Sequence, residues 1–276
     1  MNDETNPAGT GTTRYRLLTD GKWSSVTGMV VQEALVSVFA NGQEIASMMA
    51  TPQHQEYLAV GFLFTEGLID TRAEIIHASL APNRTCVDVL LAKKQITLPP
   101  RRVLTSGCGK GVTYASYPAE SPPGTGDTPV IRPVTSDLRI TPDQLQSLVK
   151  AMQQASHAYR HAGGVHAAAL ASPSELVVIM EDIGRHNTFD KLAGYCLLND
   201  LEPAGHILLT TGRISSEMVH KALRMRLPII ASLTSPTSLS VERAEDWNLT
   251  LVGYVKPNRM RVYTHPERIV GTGDDE

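Results

Sequence analysis

The chain has 276 residues, of which 42% are hydrophobic and 19% are charged, and its formal net charge at pH 7 is −3. These values are typical of a globular protein with one large or two modest domains, and they exclude a strong electric field that would attract nucleic acid or an anionic membrane. No run of about 18 apolar residues exists, so no membrane-spanning helix is predicted. Residues 1–13 are too polar for a secretion signal and predict a disordered N-terminus. We therefore expect a cytoplasmic protein.

The three cysteines lie far apart in the sequence, which excludes a disulfide scaffold and a paired zinc-ligand motif. Cys196 belongs to an apolar helical face, and Cys86 begins a strand-like alternation, so both are predicted to be structural. Cys108 differs, because it lies in the segment Thr-Ser-Gly-Cys-Gly-Lys-Gly at 105–111. Glycine is unfavourable in helices and strands by about 1 kcal/mol relative to alanine, so this segment is predicted to be a loop. An accessible thiol beside Lys110 has a stabilised thiolate, which makes Cys108 the candidate nucleophile.

Residues 14–116, which include the thiol loop, predict a small α+β subdomain. An Asn-Gly pair at 41–42 supplies the positive φ of a tight hairpin. Thr51 and Pro52 are the residue types of a helix N-cap and a first helical position, and Gly67 is placed to end that helix. The predicted strands are 35–40, 44–49 and 87–91.

Residues 117–140 contain a Pro-, Gly-, Ser- and Thr-rich stretch and predict a linker or a flexible loop. Thr141-Pro142 repeats the helix-cap signature, and strand-like runs then alternate with helical patterns. This alternation predicts a three-layer α/β domain over residues 141–276. The predicted strands are 165–170, 176–180, 206–210, 229–233 and 249–254, with an edge strand at 261–263 left open, and the predicted helices between them are 187–198, 215–225 and 238–247.

Polar residues follow two of these strands, at the position where ligands bind in open α/β sheets. The first group, 181–187, includes Arg185 and His186. Arg185 has the geometry to clamp a phosphate but could pair with a neighbouring acid. His186 could be a base, a ligand contact or a structural hydrogen bonder, and Asn187 could be a helix N-cap.

The second polar group, 210–217, ends a strand in a glycine-containing turn that starts a helix. Free N–H groups at a helix N-terminus, the hydroxyls of Ser215 and Ser216, and Arg213 together suit an anion such as the phosphate of a nucleotide. The spacing is not that of a Walker loop, and capping by Ser215 is the alternative.

Two weaker candidates are His166, at the start of a strand, and the basic turn at 256–259. The sequence contains no H-x-E with a later P-C-x-x-C, which is the ligand pattern of a zinc deaminase. It also contains no G-x-S-x-G or G-x-G-x-x-G in a strand–turn–helix setting. Zinc deaminase chemistry and the usual hydrolase and dinucleotide-binding folds therefore lose support.

Together, strings spread over residues 33–269 resemble the formate dehydrogenase accessory sulfurtransferase family (FdhD). Each string alone is unspecific, but their combination in this order is specific. The strings are 51–52, 61–67, 164–166, 181–187, 190–191, 211–213, 215–218, 248–253 and 263–266.

The resemblance implies a cytidine-deaminase-like α/β/α fold without the zinc site, no structural metal, and a tendency to form homodimers. It also implies a sulfurtransferase that takes sulfur from a cysteine desulfurase and passes it to the bis(molybdopterin guanine dinucleotide) cofactor, which is then inserted into formate dehydrogenase. By the same resemblance, the reactive cysteine falls on Cys108. The guanine-dinucleotide-binding segment falls on Tyr254, Val255, Lys256, Pro257, Asn258 and Arg259.

One departure concerns the thiol loop, where many family members have C-x-x-C and this chain has only Cys108. A single thiol can carry a persulfide but cannot close a disulfide within the loop. The leading hypothesis is a sulfurtransferase with Cys108 as the persulfide carrier. The alternatives are a non-catalytic chaperone for the molybdenum cofactor and, less favoured, a nucleotide-acting hydrolase that uses His186.

Overall fold

The computed structural model describes residues 8–93, 96, 103–104, 112–113 and 132–271. The elements of the first half are β1 (Thr10–Thr19), β2 (Lys22–Val31), β3 (Ala34–Ala40), β4 (Gln43–Ala50), α1 (Gln55–Thr65), β5 (Ile75–Leu80), β6 (Cys86–Leu91), β7 (Val103–Leu104) and β8 (Val112–Thr113). Strands β1 and β2 form an antiparallel hairpin, and so do β7 and β8. The other four form a sheet in the order β4-β3-β6-β5, in which only the β3/β6 pair is parallel.

Two hairpins of this half have turn residues with positive φ, but only one of them was predicted. The β3–β4 hairpin is confirmed, and Asn41 and Gly42 both have positive φ. The β1–β2 hairpin was not predicted, although Asp20 and Gly21 also have positive φ at its tip. Its pairing reaches back to Thr10, so the disorder predicted for residues 1–13 is wrong for residues 10–13.

Helix α1 begins later than its predicted cap at Thr51-Pro52, because Thr51 is used elsewhere. The Thr51 hydroxyl accepts a hydrogen bond from the backbone N–H of Ile183 at 3.2 Å, and the Thr51 N–H donates to the Asp182 carboxylate at 3.1 Å. His54, in the left-handed conformation, precedes the helix instead. Gly67 has positive φ just beyond the helix end, as predicted. Thr51 thus connects the two halves of the chain.

The second half contains α2 (Pro142–Ala155), α3 (His157–His161), β9 (His166–Ala171), β10 (Leu176–Asp182), α4 (Arg185–Leu198), β11 (Ile207–Thr210), α5 (Ser216–Arg224), β12 (Ile229–Ser232), α6 (Ser238–Asp246), β13 (Thr250–Lys256) and β14 (Arg259–Thr264). Its strands form one mixed sheet in the order β10-β9-β11-β12-β13-β14. Every strand and helix predicted in this half is present within a few residues, and the edge strand left open is β14. Thr141 caps α2 as predicted, since its hydroxyl accepts from the N–H of Gln144.

Helices cover both faces of the large sheet. Leu145 and Met152 of α2 belong to the apolar core on one face, together with Ile207 of the sheet. On the other face, Phe189 of α4 and Met218 of α5 pack in a second core. The predicted α/β class is therefore confirmed. Of the described helices, none is long and apolar enough to cross a membrane.

The segment predicted as a linker, 117–140, is described from residue 132 onwards. Val134 is buried, and its N–H donates to the carbonyl oxygen of Trp247 at 2.9 Å. The Asn248 side-chain amide donates to the carbonyl oxygen of Val134 at 2.6 Å. Residues around Val134 therefore pack against the α/β domain.

Helices α1 and α4 join the two halves at a crossing made of two glycines. A Cβ atom on Gly61 would lie 1.7 Å from the carbonyl oxygen of Asp190, and one on Gly194 would lie 1.9 Å from that of Tyr57. Only glycine permits this backbone approach. The crossing fixes α4, whose first residues belong to the site described next.

Candidate functional site

One edge of the large sheet collects the predicted site residues. Strand β10 is antiparallel to β9, β9 is antiparallel to β11, and β11, β12 and β13 are parallel, so β10, β11, β12 and β13 all end at this edge. We call it the site edge. His166 begins β9 at this edge, and the residues that follow β10 and β11 are Arg185, His186, Arg213, Ser215 and Ser216. The segment 254–259 contains the end of β13, the turn after it and the first residue of β14.

Gly212 lies between the two polar groups. A Cβ atom on it would lie 3.0 Å from Cβ of Arg185 and 3.5 Å from Nδ1 of His166. Arg185 and His166 therefore meet at the turn that follows β11. Burial lowers the pKa of His166, and the charges of Arg185 and His186 act in the same direction. The first polar group, the second group and the histidine of β9 thus lie close together at the site edge.

Hydrogen bonds continue this neighbourhood toward β13. The Ser232 hydroxyl donates to the carbonyl oxygen of Gly212 at 2.7 Å, and the Tyr254 N–H donates to the carbonyl oxygen of Thr234 at 3.0 Å. Tyr254 has a φ of 53° where the pairing of β13 with β14 is irregular. The segment predicted by family resemblance therefore lies on the same sheet edge as Arg185 and Arg213.

His186 and Glu217, each the second residue of its helix, face one another across α4 and α5. The imidazole Nε2 and the carboxylate Oε2 lie 2.8 Å apart, and each side chain is 14% exposed. Burial lowers the pKa of His186, and the charges of Lys221 and Arg185 add to this effect against the opposing influence of Glu217. Burial opposes ionisation of Glu217, but contact with His186 and nearby positive charges leaves its pKa lowered. Near neutral pH the pair is a neutral imidazole beside a carboxylate.

Three buried polar atoms at this place lack a well-formed hydrogen bond: Nε2 of His186, Oγ of Ser215 and Oε2 of Glu217. The His186–Glu217 contact meets the distance of a hydrogen bond but not its angle. Ser215 precedes α5 without a side-chain capping bond, so the capping alternative is not observed. Unsatisfied buried polar atoms are rare in native proteins, and a cluster of them marks a place that a ligand can complete.

The acids of the first polar group have structural partners instead. Asp182 forms an ion pair of 2.6 Å with Lys191, and both side chains are fully buried. The Glu181 carboxylate accepts hydrogen bonds from two backbone N–H groups at the start of α3. Asn187 donates to Asp182 and to the backbone of β4, and Gly184 occupies the N-cap position that Asn187 was a candidate for.

A second buried ion pair was missed by the sequence analysis. Lys221 of α5 lies 2.6 Å from the Asp190 carboxylate and 3.7 Å from Glu66, and the Thr65 hydroxyl donates to Asp190 at 2.6 Å. Burial disfavours the charge of Lys221, but Asp190 and Glu66 outweigh it and raise the pKa. The available signal was the adjacent Asp190-Lys191 pair in an otherwise apolar stretch of α4.

Two of the three cysteines lie within the described residues. Burial raises the pKa of Cys196 to about 12, and Cys86 lies half-buried on β6. The candidate nucleophile Cys108 is outside the described residues. In the part of the chain that the structure describes, no three His, Cys, Asp or Glu side chains are grouped to hold a metal ion.

Comparison with known proteins decides the family. The model of the FdhD/NarQ family matches residues 31–270. The chain belongs to this family. Two FdhD relatives carry the name sulfur carrier protein FdhD. The protein from Bacillus subtilis (strain 168) is 37% identical over 253 residues, which are 90% of this chain and 93% of the relative. The protein from Staphylococcus aureus (strain MRSA252) is 34% identical over 254 residues, which are 91% of this chain and 93% of the relative.

A solved structure that is similar to this FdhD/NarQ chain supports the same fold. It is a crystal structure from Desulfotalea psychrophila of a protein described as a formate dehydrogenase accessory protein. The two chains superpose with a TM-score of 0.74 at 27% sequence identity, over 95% of this chain and 99% of the other. The similarity therefore extends through both halves of the molecule.

Proposed function

We propose that the protein is a sulfur carrier that serves formate dehydrogenase. The observation that carries this proposal is the similarity, over 90% of this chain and 93% of the relative, to a protein named sulfur carrier protein FdhD. The likeness to a formate dehydrogenase accessory protein agrees with it.

In this proposal Cys108 accepts sulfur from a cysteine desulfurase. The Cys108 thiolate attacks the terminal sulfur of the donor persulfide, the donor S–S bond breaks, and the donor cysteine leaves as a thiolate. Cys196 is unsuited to this step, because burial raises its pKa to about 12 and leaves almost no thiolate. Cys86 lies on a strand of the small sheet.

The sulfur acceptor in this proposal is the bis(molybdopterin guanine dinucleotide) cofactor, bound as a substrate along the site edge. Its phosphates contact Arg185, Arg213 and the N-terminal N–H groups of α5 with Ser215 and Ser216, because these groups are donors or positive charges. The segment 254–259 at the β13 side holds a guanine end, and the family resemblance supports that assignment.

We further propose that the protein works as a cytoplasmic homodimer with a cytidine-deaminase-like arrangement of the α/β domain. The two helical layers around the mixed sheet support the fold assignment. The family resemblance supports the dimer.

Intact-protein mass spectrometry tests the sulfur-carrier step. The wild type, Cys108→Ala and the matched control Cys86→Ala are each incubated with a cysteine desulfurase and cysteine. We expect a gain of one sulfur that a reductant reverses in the wild type and in Cys86→Ala, and no gain in Cys108→Ala. Retained sulfur loading in folded Cys108→Ala would disprove the assignment of the carrier.

A second candidate is a non-catalytic chaperone that binds the cofactor without carrying sulfur. It is favoured by one observation, the lack of a second cysteine within three residues of Cys108. If the wild type gains no sulfur but binds the guanine dinucleotide cofactor, and Cys108→Ala still activates formate dehydrogenase, the chaperone is the correct function.

A further inference from the structure

The His186–Glu217 pair has a hydrogen-bonding polarity that a phosphate does not match. An ionised carboxylate can only accept hydrogen bonds, so a neutral imidazole whose Nε2 faces Glu217 carries its hydrogen on Nε2. The other ring nitrogen, Nδ1, is then an acceptor. Phosphate oxygens near neutral pH are acceptors as well, so they do not bind to a neutral His186 in this tautomer.

Burial disfavours the imidazolium form of His186, and the positive charges of Lys221 on α5 and Arg185 on α4 add to this effect. Glu217 favours the charged form but does not overcome burial. The pKa of His166 on β9 is also lowered. Within the described ranges, Glu217 is the one side chain within hydrogen-bonding distance of the His186 ring.

The position of the pair along the site edge indicates which part of a ligand it meets. The N-terminus of α5, with Ser215 and Arg213, follows β11 in the middle of the edge. The segment 254–259 lies on its β13 side, whereas His186 follows β10 on the opposite side. A guanine dinucleotide with its diphosphate at the α5 N-terminus and its guanine at β13 therefore directs its other half toward His186.

We propose that the His186–Glu217 pair is an acceptor subsite that recognises an N–H donor of the pterin half of the cargo. This inference rests on the proposed function, because it requires the guanine dinucleotide cofactor as the ligand. Pterins carry amino and ring N–H groups, which are donors that a fixed imidazole acceptor can select. Glu217 is a positioning residue in this scheme, since it fixes the tautomer and does not touch the ligand.

Two ligands separate this inference from the proposed function: guanosine diphosphate, which lacks the pterin half, and the guanine dinucleotide cofactor released from a formate dehydrogenase. For His186→Leu we expect unchanged affinity for guanosine diphosphate and about tenfold weaker binding of the cofactor, the effect of one lost hydrogen bond. Glu217→Leu, which removes the acceptor that fixes the hydrogen on Nε2, should give part of the same selective loss. His186→Gln, which retains an acceptor oxygen, should recover part of it.

The matched control is Arg213→Gln, which should reduce the affinity for both ligands by similar factors because it removes a proposed phosphate contact. An equal loss of both ligands in His186→Leu would overturn the inference and assign the pair to the phosphate or guanosine portion. Tighter binding of both ligands at acidic pH, absent in His186→Leu, would also overturn it, because it would show a phosphate bound to an imidazolium. If the wild type binds neither ligand, the proposed cargo itself is wrong.

Discussion

Helix α4 carries ionisable residues of two kinds, which differ in how completely their polar atoms are hydrogen-bonded. Asp190 and Lys191, within the helix, form buried ion pairs of 2.6 Å with partners from α5 and from the end of β10. His186, in its first turn, faces Glu217 with poor hydrogen-bond geometry and beside the unpaired hydroxyl of Ser215. One helix thus supplies both buried ion pairs and, in its first turn, a residue of the proposed ligand site.

The physical reason for the difference is the cost of burying charge. An ion pair that is removed from water is tolerated only when its remaining hydrogen-bonding capacity is met. Thr65 meets it for Asp190 by donating its hydroxyl hydrogen, and the carbonyl oxygen of Thr51 meets it for Lys191 by accepting a hydrogen bond. At the site edge Nε2 of His186, Oγ of Ser215 and Oε2 of Glu217 lack such a bond, which is the basis for proposing a ligand there. We therefore expect substitutions of Asp190, Lys191 or Lys221 to reduce stability. Substitutions of His186, Ser215 or Glu217 should instead reduce ligand binding.

The largest expected effect on stability concerns the crossing of helices α1 and α4. In Gly61→Ala the new methyl group would lie 1.7 Å from the Asp190 carbonyl oxygen, so α1 and α4 must separate. We expect a loss on the order of 5 kcal/mol in the free energy of unfolding, comparable to the whole stability of many domains. Urea denaturation measures it. The control Gly11→Ala places its methyl group 3.6 Å from Gln32 and should be nearly neutral, and equal stabilities would contradict the crossing.

Breaking the buried ion pair of Asp190 and Lys221 should have the next largest effect on stability. Asp190→Ala leaves Lys221 buried with its nearest carboxylate at 3.7 Å, and we expect a loss of about 3–5 kcal/mol in the free energy of unfolding. Chemical denaturation of the double variant Asp190→Leu/Lys221→Met should recover part of that loss, because neither charge remains buried. A double variant that is less stable than Asp190→Ala would show that the pair contributes more than mutual charge compensation.

The loss of stability at acidic pH tests His220, a partly buried histidine of α5. Burial lowers the pKa of His220 to about 4, and the charges of Arg224 and Lys221 add to this effect. The unfolded chain then takes up a proton near pH 6.5 while the folded protein does not, so stability is full above pH 6.5 and falls as the pH drops toward 4. The loss amounts to about 3 kcal/mol from this group.

Urea midpoints measured from pH 7.5 to 4.5 check this loss. His220→Gln should reduce the slope without removing it, because the pKa values of His166 and His186 are also lowered. An unchanged slope in His220→Gln would assign the acid sensitivity to other groups.

The smallest stability effect is expected at the site edge, in Ser215→Ala. Loss of a helix-capping hydroxyl usually costs about 1 kcal/mol, as we expect for Thr141→Ala, whose side chain bonds the Gln144 N–H. Ser215 makes no capping bond, so Ser215→Ala should change stability by less than about 0.5 kcal/mol. Its affinity for guanosine diphosphate should nevertheless fall. Thermal denaturation and calorimetric titration of the two variants measure the contrast, and equal destabilisation would show that Ser215 is only a cap.

The elements that have local signals could be predicted from the amino-acid sequence. The Asn-Gly pair predicted the β3–β4 hairpin, Thr141 predicted the start of α2, and the alternation of strands and helices after it predicted the α/β class. The two polar groups around His186 and Arg213 were also found, because residues that follow parallel strands must meet at one sheet edge. Each of these inferences depends on neighbours within a few positions in the chain.

Hydrogen bonds between residues that are distant in the sequence could be assigned only from the folded chain. Thr51 has the residue type of a helix cap, yet its hydroxyl bonds to Ile183, 132 positions away in the sequence. The pairing of Asp190 with Lys221 and of His186 with Glu217 likewise depends on where α4 and α5 cross. A local pattern specifies which groups need a partner, whereas the packing of helices and sheet determines which partner is close enough to satisfy it.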